Sequence, residues 1–180
     1  GFFGKKIGNK ASQITTSLFV SIAALLSIYL FYDVIINGYS SNVIIAKWIS
    51  SGLLDVNWSI KIDQLSAIML VVVTLVSAIV HIYSIGYMSH DPHQPRFMSY
   101  LSLFTFAMLV LVTSDNFLQL FFGWEGVGLC SYFLIGFWFK KPSANSAAIK
   151  AFIVNRVGDF GFALGIFLIF YIFGTVNYEQ

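Results

Sequence analysis

The composition of this 180-residue chain places it in a membrane, since 58% of its residues are hydrophobic and only 10% are charged, whereas soluble domains average about 45–50% and 25%. Its ten basic and eight acidic side chains could not cover so much apolar surface in water, which excludes a soluble enzyme, a disordered segment and a nucleic-acid-binding protein. The net charge of +2 is too small to favour a polyanionic partner, and the single cysteine, Cys130, excludes an internal disulfide and a cysteine-based iron–sulfur or zinc site within the chain.

Uncharged stretches predict a single membrane domain over residues 1–180, an all-α bundle of about five transmembrane helices. About 20 apolar residues suffice to cross the hydrocarbon core, and the predicted helices lie near residues 11–36, 64–88, 97–114, 117–139 and 146–174. The connection between the first two helices is the longest. Its residues 56–63 alternate between apolar and polar side chains, which predicts a short strand or hairpin at the membrane surface. Trp48 and Trp58 suit that interface.

Basic residues in the connections predict the orientation of the bundle. Five crossings place the amino-terminal stretch, the loop around residue 92 and the loop around residue 140 on one side. These segments carry Lys5, Lys6, Lys10, Arg96, Lys140 and Lys141, and the other side carries Lys47 and Lys61. Because basic loops stay on the inner side of a membrane, the amino-terminal stretch is expected to face a bacterial cytoplasm or a mitochondrial matrix.

The three histidines of the chain lie in one predicted helix and in one loop. His81 lies inside the second predicted helix, where it could relay protons near neutral pH or make an inter-helix hydrogen bond; the second interpretation is slightly favoured. His90, Asp91 and His93 lie in the loop around residue 92. No distant ligand accompanies them, so they are interpreted as residues of a solvated turn rather than as a metal site.

Glu125 is the most informative residue of the sequence, because it is an acid within an otherwise apolar helix, between glycines of the motif GWEGVG at residues 123–128. An ionisable group at membrane depth costs roughly 2.5–3.5 kcal/mol and is usually a proton carrier or a counter-ion. The alternative is a structural carboxyl bonded to a neighbouring helix. The functional interpretation, as a proton carrier or counter-ion, is favoured. The glycines allow another backbone to approach closely.

The fifth predicted helix carries three charged residues. Arg156 and Asp159 are three positions apart, which places them on one helix face within pairing distance. They are equally compatible with a structural ion pair and with a pair that changes when a nearby site gains or loses a proton. Lys150 lies on another face and is expected to reach the inner surface rather than the bundle. The residues alone therefore predict a helical membrane protein that moves protons or cations.

Several motifs closely resemble one family, subunit 5 of NADH:ubiquinone oxidoreductase, respiratory complex I. They are YMSHDPH at 87–93, DN at 115–116, GWEGVGLCSY at 123–132, KAF at 150–152 and NRVGD at 155–159. The resemblance covers essentially the whole chain and implies an antiporter-like fold. It also implies that the family's proton-pumping glutamate falls on Glu125, its arginine and aspartate on Arg156 and Asp159, and its lysine on Lys150. His81 is similar to a histidine on the corresponding helix.

The resemblance further implies a subunit that translocates protons while electrons pass from NADH to ubiquinone elsewhere in the complex. NADH, FMN, the iron–sulfur clusters and ubiquinone are then expected in other subunits, with no cofactor in this chain. The implied partners are the other membrane-arm subunits, the remainder of subunit 5 and the lipid bilayer, without nucleic acid. The implied location is the mitochondrial inner membrane, or alternatively a bacterial inner membrane.

Members of this family extend beyond both ends of the sequence, so it is interpreted as a fragment or as the product of a split gene, without a complete proton path. Two other functions remain open. The chain could be a subunit of a multi-subunit sodium/proton antiporter, which shares the buried glutamate. It could also be a structural membrane scaffold in which Glu125, Arg156 and Asp159 form fixed bonds.

Overall fold

A computed structural model describes Gly4 and residues 8–178. Residues 8–178 contain five helices and one two-stranded antiparallel sheet. In chain order the elements are α1 (Asn9–Asn37), β1 (Ser41–Ser51), β2 (Leu54–Ile62), α2 (Gln64–Tyr87), α3 (Gln94–Val112), α4 (Phe117–Ile135) and α5 (Pro142–Phe173). All five helices are long and apolar enough to cross a membrane. The predicted all-α membrane fold with five spans and a surface hairpin is confirmed.

Local sequence signals explain where the helices begin and end. α2 begins with a capping box, in which the Asp63 carboxylate accepts a hydrogen bond from the Ser66 backbone N–H at 2.8 Å and the Ser66 hydroxyl accepts one from the Asp63 N–H at 2.7 Å. α3 begins at Gln94 rather than near residue 97, because Pro95 fits the first helical turn. α4 ends at Ile135 rather than near residue 139. The Gly136 N–H makes the last helical bond, to the Tyr132 carbonyl, and a turn follows.

The helices pack mainly through small side chains. α1 packs on α2 and α3, α3 also packs on α2 and α4, and α4 packs on α5. The buried residues include Ser17, Ala24 and Ser27 on α1 and Ala67 and Ala78 on α2. Small residues let helix backbones approach closely in lipid, where large apolar side chains gain nothing from avoiding the solvent. The large side chains accordingly point outward.

The β1–β2 hairpin is docked on the start of α4. The Gln119 side chain accepts a hydrogen bond from the Ser59 N–H at 3.0 Å and donates one to the Ser59 carbonyl at 2.7 Å. The Asn116 amide donates to the Asn57 carbonyl at 3.0 Å. Trp48 and Trp58 pack edge-to-face with each other, and both pack in the same way on Phe122 of α4, with ring centroids 5.1–5.9 Å apart. The hairpin is therefore held by the helix that carries Glu125.

The connections are segregated between the two ends of the bundle. At one end, the Phe117 N–H donates to the Val176 carbonyl at 3.0 Å, beside a buried cluster of Val56, Ile166 and Val176 that joins the hairpin to α5. At the other end, the buried Gln13 amide of α1 donates to Gln94 of α3 at 2.9 Å. This grouping places the start of α1 and the loop around residue 92 at the end opposite the hairpin, as predicted.

Candidate functional site: a charged cluster between two membrane helices

Glu125, Arg156 and Asp159 form one charged cluster between α4 and α5. Nη1 of Arg156 forms an ion pair with Oε2 of Glu125, and the same nitrogen lies 3.6 Å from Oδ2 of Asp159. The exposed fraction of the side chain is 38% for Arg156, 23% for Glu125 and 8% for Asp159. The predicted proximity of Arg156 and Asp159 is present, and Glu125 is added to it. The ion-pair partner of Glu125 within the described residues is thus Arg156. Helical spacing predicted only the proximity of Arg156 and Asp159, because Glu125 lies on another helix.

The glycines of the 123–128 motif explain why Glu125 faces α5. A Cβ atom on Gly123 would lie 2.7 Å from the Leu111 backbone nitrogen, and one on Gly126 would lie 3.1 Å from the Ala107 Cβ atom. Both glycines therefore pack against α3. Because successive helix residues are about 100° apart, Glu125 points away from that contact and toward α5. The predicted close backbone approach is found at Gly123.

Trp124 joins the cluster, and the sequence analysis missed it. Its Nε1–H donates a hydrogen bond to Oδ1 of Asp159 at 2.8 Å, and its ring packs on Phe162 with centroids 6.0 Å apart. A tryptophan N–H within hydrocarbon needs an acceptor, and that requirement was the signal available in the sequence. The acceptor itself could not be read from the sequence, because it lies on another helix.

Arg156 is enclosed by apolar as well as charged groups. Its guanidinium lies 4.5 Å above the centroid of the Phe152 ring, in a cation–π contact. Its Nε atom is buried and has no hydrogen-bond partner in the part of the chain that the structure describes. The side chain is therefore held mainly through its terminal nitrogens, which leaves Nη1 between the two carboxylates.

A cavity of about 730 Å³ lies beside the cluster, between α4 and α5. Its walls are largely apolar and include Trp124 and Phe162, but Asp159, Asn155 and Ser131 also line it. A site that holds several polar groups and this much space is suitable for water molecules. Asp159 is the carboxylate of the cluster that lines this cavity.

His81 lies apart from this cluster, fully buried between α2 and α3. Its Nδ1 is 2.8 Å from the Ser77 carbonyl oxygen, and its Nε2 is 3.1 Å from the Ser102 hydroxyl. The Ser77 hydroxyl in turn lies 2.5 Å from that of Thr105. These contacts agree with the inter-helix hydrogen bond that the sequence favoured. The role of His81 in proton transfer stays a prediction.

Lys150 lies near the start of α5 and is exposed. Within the described part of the chain it forms no ion pair. The structure thus brings together three of the five predicted site residues and leaves His81 and Lys150 outside the cluster. The role of Lys150 also stays a prediction.

The loop around residue 92 uses its carboxylate to bind a second loop. Asp91 accepts a hydrogen bond from the His93 N–H at 2.7 Å and from Nε1–H of Trp138 at 2.9 Å. Burial on its own would raise the pKa of Asp91, but these hydrogen bonds and the positive charges of His93 and Arg96 outweigh it, and the pKa lies below its ordinary value of 3.8. In the described residues, no three His, Cys, Asp or Glu side chains are grouped as metal ligands.

Comparison with known proteins identifies families and relatives that this chain resembles. Residues 48–98 match the family described as NADH-Ubiquinone oxidoreductase (complex I), chain 5 N-terminus. Residues 114–180 match the family described as NADH:quinone oxidoreductase/Mrp antiporter, TM. The chain is 56% identical, over 99% of its length, to NADH-ubiquinone oxidoreductase chain 5 of Triticum aestivum, and 55% identical, over 100%, to NADH-quinone oxidoreductase subunit L of Rickettsia bellii. It spans 27% and 28% of the lengths of these relatives.

Two solved structures share the fold at low sequence identity. The Mrp complex from Dietzia sp. DQ12-45-1b superposes with a TM-score of 0.82 at 22% identity, over 99% of this chain and 18% of that one. The membrane-bound sulfane sulfur reductase, an archaeal respiratory membrane complex, gives a TM-score of 0.81 at 18% identity, over 96% and 34%. The fold and the charged cluster thus define an antiporter-like, multi-pass membrane protein. More narrowly, the chain belongs to the chain 5 family of NADH-ubiquinone oxidoreductase.

Proposed function

We propose that this chain is part of the proton-translocating, antiporter-like subunit of respiratory complex I, in the mitochondrial inner membrane or its bacterial counterpart. The observation that carries the proposal is the cluster of Glu125, Arg156 and Asp159 between two membrane helices. Two acids that share one base, beside a cavity large enough for several water molecules, are suited to taking up and releasing a proton. The family to which the chain belongs supports the same function.

The charge count of the cluster suggests how it works. With all three groups ionised the cluster carries one net negative charge, and one bound proton makes it neutral. Because uncompensated charge is costly at membrane depth, proton uptake on Glu125 is linked to movement of Arg156 toward Asp159, whose Oδ2 lies 3.6 Å away. Release of the proton restores the original pair. Movement of Arg156 thereby couples the protonation of Glu125 to the neighbouring charges.

In this proposal the chain performs no redox chemistry itself, although it belongs to an enzyme that transfers electrons from NADH to ubiquinone. We assign FMN, the iron–sulfur clusters and the sites for NADH and ubiquinone to other subunits.

The outer face of α5 supports packing against the remainder of subunit 5 and other membrane-arm subunits. Val157, Phe160 and Phe167 are exposed there. A Cβ atom built on Gly161 or Gly165 would meet no heavy atom of the described residues within 4 Å. Small residues on an open face suit close packing with a further membrane helix.

Substitution of Glu125 tests the proposal. Glu125→Gln keeps the size and most hydrogen-bonding capacity of the side chain but removes its exchangeable proton. The assembled complex, reconstituted in vesicles, should retain its redox centres but lose most of the pH gradient formed per NADH oxidised. Glu125→Asp should be milder, because the charge remains one methylene group further from Arg156.

Asp55→Asn is the matched control, since it neutralises an exposed acid on the hairpin and should pump like the wild type. Pumping at the wild-type level by Glu125→Gln would contradict the proposal and favour a structural scaffold.

A sodium/proton antiporter subunit is the second candidate, because the family matched by residues 114–180 includes Mrp antiporters. Transport that requires sodium, together with purification free of NADH-oxidising activity, would support it. Co-migration with NADH-oxidising activity on a native gel would support the complex I subunit instead.

A further inference from the structure

We propose that Trp124 is the positioning residue of the charged cluster, and that its indole N–H holds Asp159 as the second, waiting partner of Arg156. The inference deepens the proposed function and rests on it. Glu125 and Asp159 compete for the guanidinium of Arg156, and in this inference Trp124 determines which of the two carboxylates is paired with it. Trp124 itself does not carry a proton in this scheme.

The two oxygens of Asp159 are used for different purposes. Oδ1 accepts the hydrogen bond from Nε1–H of Trp124 at 2.8 Å, and Oδ2 faces Nη1 of Arg156 at 3.6 Å. The Asp159 side chain is 8% exposed, so water has little access to replace the indole donor. The indole therefore fixes the orientation of the carboxylate.

The anchor matters because Arg156 and Asp159 lie on the same helix face. An arginine and an aspartate three positions apart can close into a direct pair without any help from another helix. The bond to Trp124 instead draws Asp159 toward α4, at 3.6 Å from Nη1, while that nitrogen pairs with Glu125. Trp124 thus keeps Arg156 on Glu125 in this state but leaves Asp159 within reach once Glu125 is protonated.

The same substitution at two tryptophans tests the inference. Trp124→Phe keeps an aromatic ring against Phe162 and removes the N–H donor together with part of the indole ring. Trp138→Phe is the matched control, because it removes an equivalent indole–carboxylate bond, to Asp91 at 2.9 Å, in a loop away from the cluster. Charge-assisted hydrogen bonds are about twice as strong as neutral ones. Loss of this donor frees Asp159 to pair with Arg156, so we expect Trp124→Phe to lose most of the protons pumped per NADH oxidised. Trp138→Phe should pump normally.

A double-mutant cycle separates positioning from general packing. If Trp124 acts through Asp159, Trp124→Phe should have no further effect on pumping in an Asp159→Asn background, because Arg156 then has no second charged partner. Additive losses would show that Trp124 acts through packing, and would overturn the inference. If Trp124→Phe does not assemble, Trp124→His restores a ring N–H. Pumping near the wild-type level by this variant supports the inference, and pumping as poor as that of Glu125→Gln contradicts it.

The experiments distinguish failure of the positioning role of Trp124 from failure of the proposed proton-translocating function. Normal pumping by Glu125→Gln would remove the proposed function, and the inference with it. Loss of pumping in Glu125→Gln together with wild-type pumping in Trp124→Phe would leave the proposed function intact and overturn the inference alone.

Discussion

Arg156 connects the acid of one helix to the acid of another, and its position makes it the residue on which the cluster depends. It forms an ion pair with Glu125 across the helix interface and lies 3.6 Å from Asp159 on its own helix. Removing one partner of a buried pair commonly costs about 3–5 kcal/mol, because the other charge is left uncompensated. A cluster of three charges avoids that full cost, since Arg156 always has a carboxylate nearby.

Gly123 sets the distance between α3 and α4, and we expect Gly123→Ala to destabilise the bundle. The added methyl group would lie 2.7 Å from the Leu111 nitrogen and 2.8 Å from its Cα atom, both of which are backbone atoms that cannot rotate away. Overpacking of this kind typically costs about 1–3 kcal/mol. Thermal denaturation of the purified complex should show a lower midpoint. Native gels of the membranes should show a smaller fraction of assembled complex.

Gly128→Ala on the same helix is the control for this prediction. Its new Cβ atom would have Asn155 Nδ2 as its nearest neighbour, at an ordinary contact distance of 4.0 Å. Equal stability of the two alanine variants would show that the α3–α4 approach at Gly123 is not limiting.

At the scale of elements, the β1–β2 hairpin holds the first turn of α4. Gln119 binds both backbone groups of Ser59, and Asn116, which also caps α4 by accepting from the Gln119 N–H at 2.8 Å, binds the carbonyl of Asn57. The side chains of Gln119 and Asn116 thus satisfy backbone groups on the free edge of β2 that a neighbouring strand would otherwise bind. The hairpin in turn fixes the end of the helix that carries Trp124 and Glu125.

We expect Gln119→Leu to loosen the hairpin. The substitution leaves the Ser59 N–H and carbonyl without their partners, and each buried backbone group without a partner costs about 1–3 kcal/mol. Hydrogen exchange followed by mass spectrometry should show faster exchange across β2, with α1 unchanged. Gln64→Leu, the same change at an exposed position of α2, should not alter exchange in β2. Unchanged protection of β2 in Gln119→Leu would mean that the two aromatic contacts with Phe122 hold the hairpin by themselves.

At the scale of the whole molecule, the two ends of the bundle carry different segments of the chain. One end carries the hairpin and the segment that follows α5, joined through backbone hydrogen bonds and the cluster of Val56, Ile166 and Val176. The other end carries the start of α1 and two loops, joined through Gln13 with Gln94 and through Asp91 with Trp138. Each end therefore forms one connected surface on its own side of the membrane.

Labelling of single cysteines should locate these two surfaces on opposite sides. In a Cys130→Ser background, Ser143→Cys should react with a membrane-impermeant reagent from the inner side and Ser51→Cys from the outer side, as the distribution of basic residues predicts. Both positions are exposed, so both should react after detergent permeabilisation. Labelling of both from the same side of intact vesicles would contradict the arrangement.

The sequence by itself determined the number of spans, the hairpin and the candidate acid. Lipid offers no hydrogen bonds to the backbone, so long apolar stretches must be helical, and alternation within residues 56–63 predicted a strand. A charged residue is so costly in this environment that Glu125 was conspicuous without any structure. The proximity of Arg156 and Asp159 followed from helical spacing alone, because both lie on one helix.

Only the tertiary structure decided which residues of different helices meet. α4 and α5 are apolar around most of their circumference, so hydropathy gives no information about how each helix is rotated about its axis. The pair of Arg156 with Glu125, the bond from Trp124 to Asp159 and the docking of Gln119 on Ser59 all depend on that rotation. Close packing at Gly123 and Gly126 fixes the rotation of α4, and with it the direction in which Glu125 points.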